Sequence, residues 1–258
     1  MSDKLKLERR GRVSVIRIDD PATMNAIDPE MALALRAMLR EEAKTARCLV
    51  LAGHARAFCS GANLSGGMVA AGDGFDAGET LELHFNPLME TIRDLPAPLV
   101  TAVRGAAAGV GASLALAGDV IVAGRSAYFL EAFARIGLIP DGGATWLLTR
   151  AVGRVRAMEM MLLAEKIPAE TAHDWGLVTR IAEDDAVEDA AFAIADKLAN
   201  GPKKALGLIR RAAWAAADDD FLSTLRRERA LQREAGDHPD FQEGVAAFLE
   251  KRAAKFGD

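Results

Sequence analysis

With 258 residues, a formal net charge of −5 and half its residues hydrophobic, the chain is long enough to bury one sizeable α/β core without cross-links. Its acidic balance, with basic residues no denser than pairs such as Arg9-Arg10 and Arg226-Arg227, argues against a nucleic-acid footprint. No stretch approaches the roughly 18 apolar residues of a membrane-spanning helix. The start has no apolar leader, Cys48 and Cys59 suggest no disulfide framework, and the four histidines are scattered without metal-binding spacing, so a reducing cytoplasm is the expected location.

Residues 5 to 18 read as a β-hairpin: Leu5 and Leu7 alternate with charged neighbours, Arg10-Gly11 can turn, and Val13-Ser14-Val15-Ile16-Arg17-Ile18 is rich in β-branched residues. A helix follows, with Asp28 as N-cap, Pro29 at its first position and an apolar stripe of Met31, Leu35, Met38 and Leu39 through about residue 46. Cys48 to Ala52 is a buried strand. From residue 53 to 78 the chain is rich in Gly, Ala, Ser and Asp, a long irregular stretch that predicts a lid over a ligand. Next come a helix near 79 to 94, a strand over 99–103, a helix from about 110 and a strand over 120–123, an alternation typical of α/β folds. After a strand at 178–182 the pattern is purely helical, with stripes in 186–199, 203–217, 220–235 and 239–255.

Three glycine-bearing segments carry the chemistry. Ala57-Phe58-Cys59-Ser60-Gly61-Ala62-Asn63-Leu64 and Arg104-Gly105-Ala106-Ala107-Ala108-Gly109-Val110-Gly111 can each lend a backbone N–H to one developing oxyanion, because glycine lets the backbone approach a ligand and a helix start points its N–H groups outward. Ordinary tight turns would explain the same glycines. The second segment also imitates a dinucleotide-binding turn, but it sits mid-chain and Asp119 follows Gly111 too closely for that fingerprint. The third, Ile136-Gly137-Leu138-Ile139-Pro140-Asp141-Gly142-Gly143, sets one carboxylate in a turn, so Asp141 is either an acid/base or the N-cap of a helix beginning near Gly142.

Together these segments, in this order and spacing, resemble the enoyl-CoA hydratase/isomerase (crotonase) family over essentially the whole chain. The resemblance implies an α/β fold, a crotonase-type spiral of ββα turns with a C-terminal helical region. Residues 1–195 would form the core and 196–258 a helical trimerisation region, giving a homotrimer or a dimer of trimers. It implies an acyl-CoA thioester as substrate, no cofactor beyond that CoA, no metal, and neither nucleic acid nor membrane as partner. The family's oxyanion donors fall on the N–H groups of Ala62 and Val110, with Gly109 before the second. Ser60, Gly61, Ala62, Asn63 and Leu64 would lie along the CoA, as would Met24-Asn25-Ala26-Ile27, similar to the family's N-A-L turn, through Asn25 and Ala26. The stretch Phe248-Leu249-Glu250-Lys251-Arg252, with Phe256, is similar to the C-terminal signature, which places Lys251 and Phe256 near the CoA nucleotide, often across a subunit boundary.

Departures from the pattern shape the expected activity. Asn63 replaces an Asp and Val110 replaces a Gly, which narrows the site. The two positions that carry glutamates in typical hydratases are Ser113 and Phe133, so Asp141 is left as the working carboxylate, as in several isomerases and a dehalogenase of the family. The stretch from Ala132 to Trp146 is most similar to the ring-epoxide isomerases of phenylacetate degradation. The expected activity is an enoyl-CoA double-bond or ring-epoxide isomerase in which Asp141 removes and returns one proton. The alternatives are an enoyl-CoA hydratase assisted by Glu131, a hydrolase or dehalogenase with Asp141 as nucleophile, and a non-catalytic CoA-binding protein. Glu131 reads as an exposed strand residue first and a second carboxylate only after that. His84 is placed to orient substrate from the lid helix, and Phe133, Trp146 and Leu147 are expected to shape the acyl pocket.

Overall fold

The computed structural model describes residues 3–54, 56–63 and 76–257. The hairpin forms as its alternation predicts: β1 (Leu5–Arg10) pairs antiparallel with β2 (Val13–Ile18). From β2 the sheet grows by parallel pairing through β3 (Cys48–Gly53), β5 (Leu99–Val103), β7 (Val120–Gly124) and β10 (Arg180–Ala182), in that spatial order. Both faces are covered, which is why these strands read as continuous apolar runs. On one face Val13, Val15, Val50, Val100 and Val122 pack against Val187, Ala191, Ala195 and Ala199 of α6 (Val187–Ala199). On the other, Ile16, Leu49, Leu51 and Leu99 meet Met31, Leu35 and Leu39 of α1 (Pro29–Thr45) and Leu88 and Ile92 of α2 (Asn86–Arg93). Helix α1 begins as expected: Asp28 accepts the Met31 N–H at 2.8 Å and Pro29 opens the first turn.

A second sheet was not legible in the sequence. It joins β4 (Ala57–Cys59), β6 (Ala106–Ala108), β8 (Tyr128–Leu130) and β9 (Ile167–Pro168), the first three parallel and β9 antiparallel. Three long strands of the first sheet continue into short strands of the second, β3 into β4, β5 into β6 and β7 into β8. The neighbours stay in the same order in both sheets, so the chain winds as repeated strand, strand, helix turns. The helices that follow are α3 (Val110–Leu116) after β6 and α4 (Ala144–Leu163) after β8, the latter broken at Gly153.

The chain ends in α7 (Lys203–Ala216), α8 (Phe221–Gly236) and α9 (Pro239–Leu249), after α5 (Ala169–Asp174) and α6. The last helix is shorter than its stripe predicts. It stops at a Schellman cap, with Lys251 left-handed, the Lys251 N–H on the Phe248 carbonyl and the Arg252 N–H on the Ala247 carbonyl. Helix α6 belongs to the sheet core through Ala199, so it runs across the boundary expected at residue 195. Helix α7 is tied down by the buried Arg210, whose guanidinium donates to Asp119 at 2.7 Å and to the carbonyls of Ile92, Arg93 and Leu95, capping the C-terminus of α2. Among the described residues no helix is long and apolar enough to cross a membrane.

Candidate active site

The short sheet delivers three loops to one place. The first leaves β4 at Cys59 and is fixed by a single parallel bridge: the Ile27 N–H donates to the Gly61 carbonyl at 2.8 Å and the Asn63 N–H to the Ile27 carbonyl at 2.9 Å. In parallel pairing, one residue bonds the two flanking its partner, so the N–H of Ala62 faces away from residue 27. It has no acceptor among the described residues. Ser60 holds the loop from below, with its hydroxyl on the Thr23 carbonyl at 2.9 Å and its N–H on that of Met24 at 3.1 Å.

Asn25 turns out to be part of this scaffold. It is fully buried and left-handed (φ 60°). Its amide donates to the carbonyls of His54 and Ala57 at 2.9 and 2.6 Å and accepts the Asp20 N–H at 2.9 Å. Every polar atom of that side chain is committed to this scaffold, so it shapes the loop. Ala26 is nearly buried, its N–H on the Thr23 hydroxyl at 3.2 Å.

The second loop follows β6. The Gly109 N–H donates to the Leu130 carbonyl at 2.8 Å, and the Gly109 carbonyl accepts from Ala112 and Ser113, so α3 begins at Val110. The Val110 N–H is a first-turn group with no intrahelical acceptor. The two loops touch: a β-carbon on Gly61 would come within 2.9 Å of the Ala108 carbonyl oxygen, and one on Gly109 would lie 3.9 Å from the Gly61 Cα and 3.5 Å from the Phe133 ring. Two free N–H groups thus stand on adjoining backbones. The Val110 side chain does not narrow the opening as expected. It is buried, with Cγ2 directed at Gly142.

The third loop runs from the short 3₁₀ turn Ala132–Ile136 to the start of α4. It is clamped on α3: the Ser113 hydroxyl donates to the Asp141 backbone carbonyl at 2.9 Å, and Gly142 (φ 59°) packs so closely that a β-carbon there would lie 2.9 Å from the Ser113 Cβ. Asp141 is not a helix cap. Helix α4 begins at Ala144 behind a left-handed Gly143, with no side-chain cap. Its carboxyl keeps one oxygen buried without a partner, and burial pushes its pKa up to about 6, where it is still ionised at neutral pH yet basic enough to accept a proton.

Glu131 corrects the sequence reading. It is not an exposed strand residue: it is wholly buried, with no hydrogen-bond partner on either oxygen, and burial first, then the charge on Asp141, pushes its pKa up to about 8. The one available signal was a lone acid inside the apolar run Tyr128-Phe129-Leu130-Glu131-Ala132-Phe133. Cys59 is no nucleophile, since burial drives its thiol up to about 12. His84 sits on a π-helical turn, Leu81–Phe85, with its Nδ1 buried and unpartnered.

Other expected residues lie elsewhere. Trp146 stacks on Trp214 of α7, centroids 5.3 Å apart, and donates to Asp218 at 3.0 Å. With Leu147 it lines a cavity of about 600 Å³ between α7 and the large sheet, away from Phe133. Lys251 belongs to the α9 cap, and Phe256 packs near Gly244 of α9, one residue before a Gly257 whose carbonyl accepts from Arg47. Arg47 directly precedes β3, so this contact seats the C-terminal end of the chain at the start of that strand. Leu64 and lid residues 65–75 lie outside the described residues.

Comparison with known proteins places the family and the fold. The family model described as Enoyl-CoA hydratase/isomerase matches residues 8–258. The chain is 42% identical over 247 residues to the 1,2-epoxyphenylacetyl-CoA isomerase of Escherichia coli (strain K12), covering 95% of this chain and 94% of that protein. It is 45% identical over 244 residues to a Rhodobacter capsulatus protein named "Probable enoyl-CoA hydratase", with the same coverage of 95% and 94%. The crystal structure of an enoyl-CoA hydratase from Polaromonas sp. JS666 superposes with a TM-score of 0.91 at 31% identity, over 98% of this chain and 99% of that one. The chain belongs to the enoyl-CoA hydratase/isomerase (crotonase) family.

Proposed function

We propose that the protein is an acyl-CoA isomerase that moves a double bond, or opens a ring epoxide, beside the thioester. The thioester oxygen accepts the N–H groups of Ala62 and Val110, which hold the negative charge as it develops. Asp141 removes the proton that this polarisation acidifies and returns it at another carbon. The observation that carries the reading is the Asp141 carboxyl itself, raised by burial to about 6, on a turn whose Asp141 backbone carbonyl is held by Ser113 of the helix that supplies the Val110 N–H. Ser113 is engaged with that turn and Phe133 stands against Gly109, so neither offers a second acid or base to activate water.

The name of the Escherichia coli relative supports isomerisation and that of the Rhodobacter capsulatus relative supports hydration. Glu131 favours the first, because a carboxyl with no surface exposure is poorly placed to hold and activate a water molecule. The substrate supplies the CoA, and its nucleotide end runs past Gly61, Ala62 and Asn63. Lys251 and Phe256 reach that end from a neighbouring subunit of a homotrimer or a dimer of trimers. Exposed apolar side chains on the last helices, among them Phe221, Phe241 and Phe248, would be covered by that contact. A panel of 3-enoyl, 2-enoyl and ring-epoxide CoA thioesters, followed by mass and NMR, tests the reading. Products of unchanged mass support it, and a gain of water from 2-enoyl esters alone would replace it with hydration.

A further inference from the structure

Glu131 has a place in the site that the reaction described above leaves unused. It follows β8 directly, at 0% exposure, and neither carboxyl oxygen has a partner. Its neighbours are committed to the second oxyanion loop: Leu130 accepts the Gly109 N–H, and the Phe133 ring abuts Gly109. Charged groups on the surrounding segments are turned elsewhere. Arg135 donates to the Ala164 carbonyl, Lys166 lies over the Tyr128 ring at 4.2 Å, Glu170 of α5 pairs with Arg125 at 2.8 Å, and Arg156 of α4 lies over Trp175 at 5.1 Å. Asp141 shares this setting: the segment from Glu131 to Gly142 packs on the second oxyanion loop at both ends, Phe133 on Gly109 and Gly142 on Val110 and Ser113, and Asp141, like Glu131, has a buried carboxyl oxygen without a partner. A carboxylate with neither donor nor counter-ion is far costlier to bury than the neutral acid, so the buried form is the acid.

We infer that Glu131 and Asp141 form one carboxyl couple holding a single proton, with Glu131 its resting owner and Asp141 the free base. The couple stands on burial and missing partners; its purpose rests on the isomerase reading. At rest the negative charge is on Asp141. When Asp141 takes a proton from substrate carbon, the C–H electron pair enters the conjugated system and the charge passes to the thioester oxygen, leaving both carboxyls neutral. Return of that proton to a second carbon restores the start. The site therefore carries one negative charge throughout. An ionised Glu131 would set a second charge beside both the base and the enolate, where the low dielectric magnifies the repulsion. Glu131 is thus a positioning residue that acts through Asp141 by fixing the charge state in which it works.

The support from titration runs the same way, with Glu131 the weaker acid of the two at about 8 against about 6. The test is an NMR titration of the full-length protein carrying ¹³C-labelled Glu and Asp carboxyls, without substrate. One glutamate should titrate far above the others. That resonance should vanish in Glu131→Gln and move to lower pH in Asp141→Asn, which removes the neighbouring charge. If every glutamate titrates in the ordinary acidic range, or the high resonance survives in Glu131→Gln, the couple is overturned whatever the protein turns over. Should Glu131→Gln fail to fold, the wild-type and Asp141→Asn titrations decide alone. With an isomerisation substrate, wild-type kcat/KM should fall on the acid side as Asp141 protonates and on the alkaline side as Glu131 ionises. Glu131→Gln should lose the alkaline fall, and its persistence there would also overturn the inference. A titration as expected with no isomerisation would remove the isomerase reading and leave the couple standing.

Discussion

The six-stranded sheet is built mostly of strands five or six residues long, whose valines, leucines and isoleucines are buried between α6 on one face and α1 and α2 on the other. The four-stranded sheet has strands of two or three residues, and its β6 is Ala106-Ala107-Ala108. Its small side chains let backbones approach, and the residues that follow those strands form the candidate site. The difference teaches where each kind of free energy is used. Burial of large apolar side chains, each contributing about 1.5–3 kcal/mol, holds the first sheet. Backbone hydrogen bonds and close glycine contacts aim groups in the second, so damage there should show in rate before it shows in stability.

The largest effect should come from Asp141→Asn. Loss of a general base lowers the rate by roughly 10²–10⁴, and CoA-ester affinity should stay within a few-fold. The same variant should melt higher at neutral pH. Burial raises the carboxyl above its ordinary 3.8 to about 6, so the folded state binds the proton more tightly, and Asp141's contribution to stability, full below 3.8, is lost as pH rises through 6. Removing a buried, partnerless charge removes that penalty. Calorimetry against pH checks it, and an unchanged or lower melting temperature at neutral pH would contradict the burial of this carboxyl.

Ala62→Pro deletes an N–H assigned to the oxyanion and should cost roughly 10²–10³ in rate, with Ala62→Ser far milder. Circular dichroism must show both folded, and a proline variant as active as the parent would remove Ala62 as a donor. Leu51→Ala inverts the pattern. Leu51 is fully buried in the large sheet, so the change should cost about 2–5 kcal/mol in denaturant unfolding while kcat holds. Smallest is Ser113→Ala, which removes the bond that clamps the Asp141 turn: about 1 kcal/mol of stability, and a loss of rate larger than that of Leu51→Ala.

The first sheet was legible because its strands are long enough for alternation and β-branched runs to show. Likewise Asp28-Pro29 announced α1, and the helical stripes announced α6 to α9. Strands such as Ala57–Cys59 and Ala106–Ala108 are too short for any period, so the second sheet could be expected only from the family resemblance. The glycines at 61, 109 and 142 were visible, but not that Gly61 and Gly109 lie against each other while Gly142 packs on Ser113 and Val110. Glu131 was misread because local pattern sends a charge at the end of a strand to water, whereas here a second layer closes over it. The scaffold role of Asn25 was hidden because a polar residue in a turn gives no sign that its partners lie about 30 positions away, at the His54 and Ala57 carbonyls.

The most direct test of the proposed chemistry is to supply a 3-enoyl-CoA in D₂O, with a matched 2-enoyl-CoA run beside it. A proton held on Asp141 between two carbons predicts a product of unchanged connectivity mass, with deuterium entering only as far as that proton exchanges, and little or no water added to the 2-enoyl ester. Rapid hydration of the 2-enoyl ester, near the roughly 10 s⁻¹ typical of enzymes, with no isomerisation of the 3-enoyl ester or a ring-epoxide ester, would contradict it.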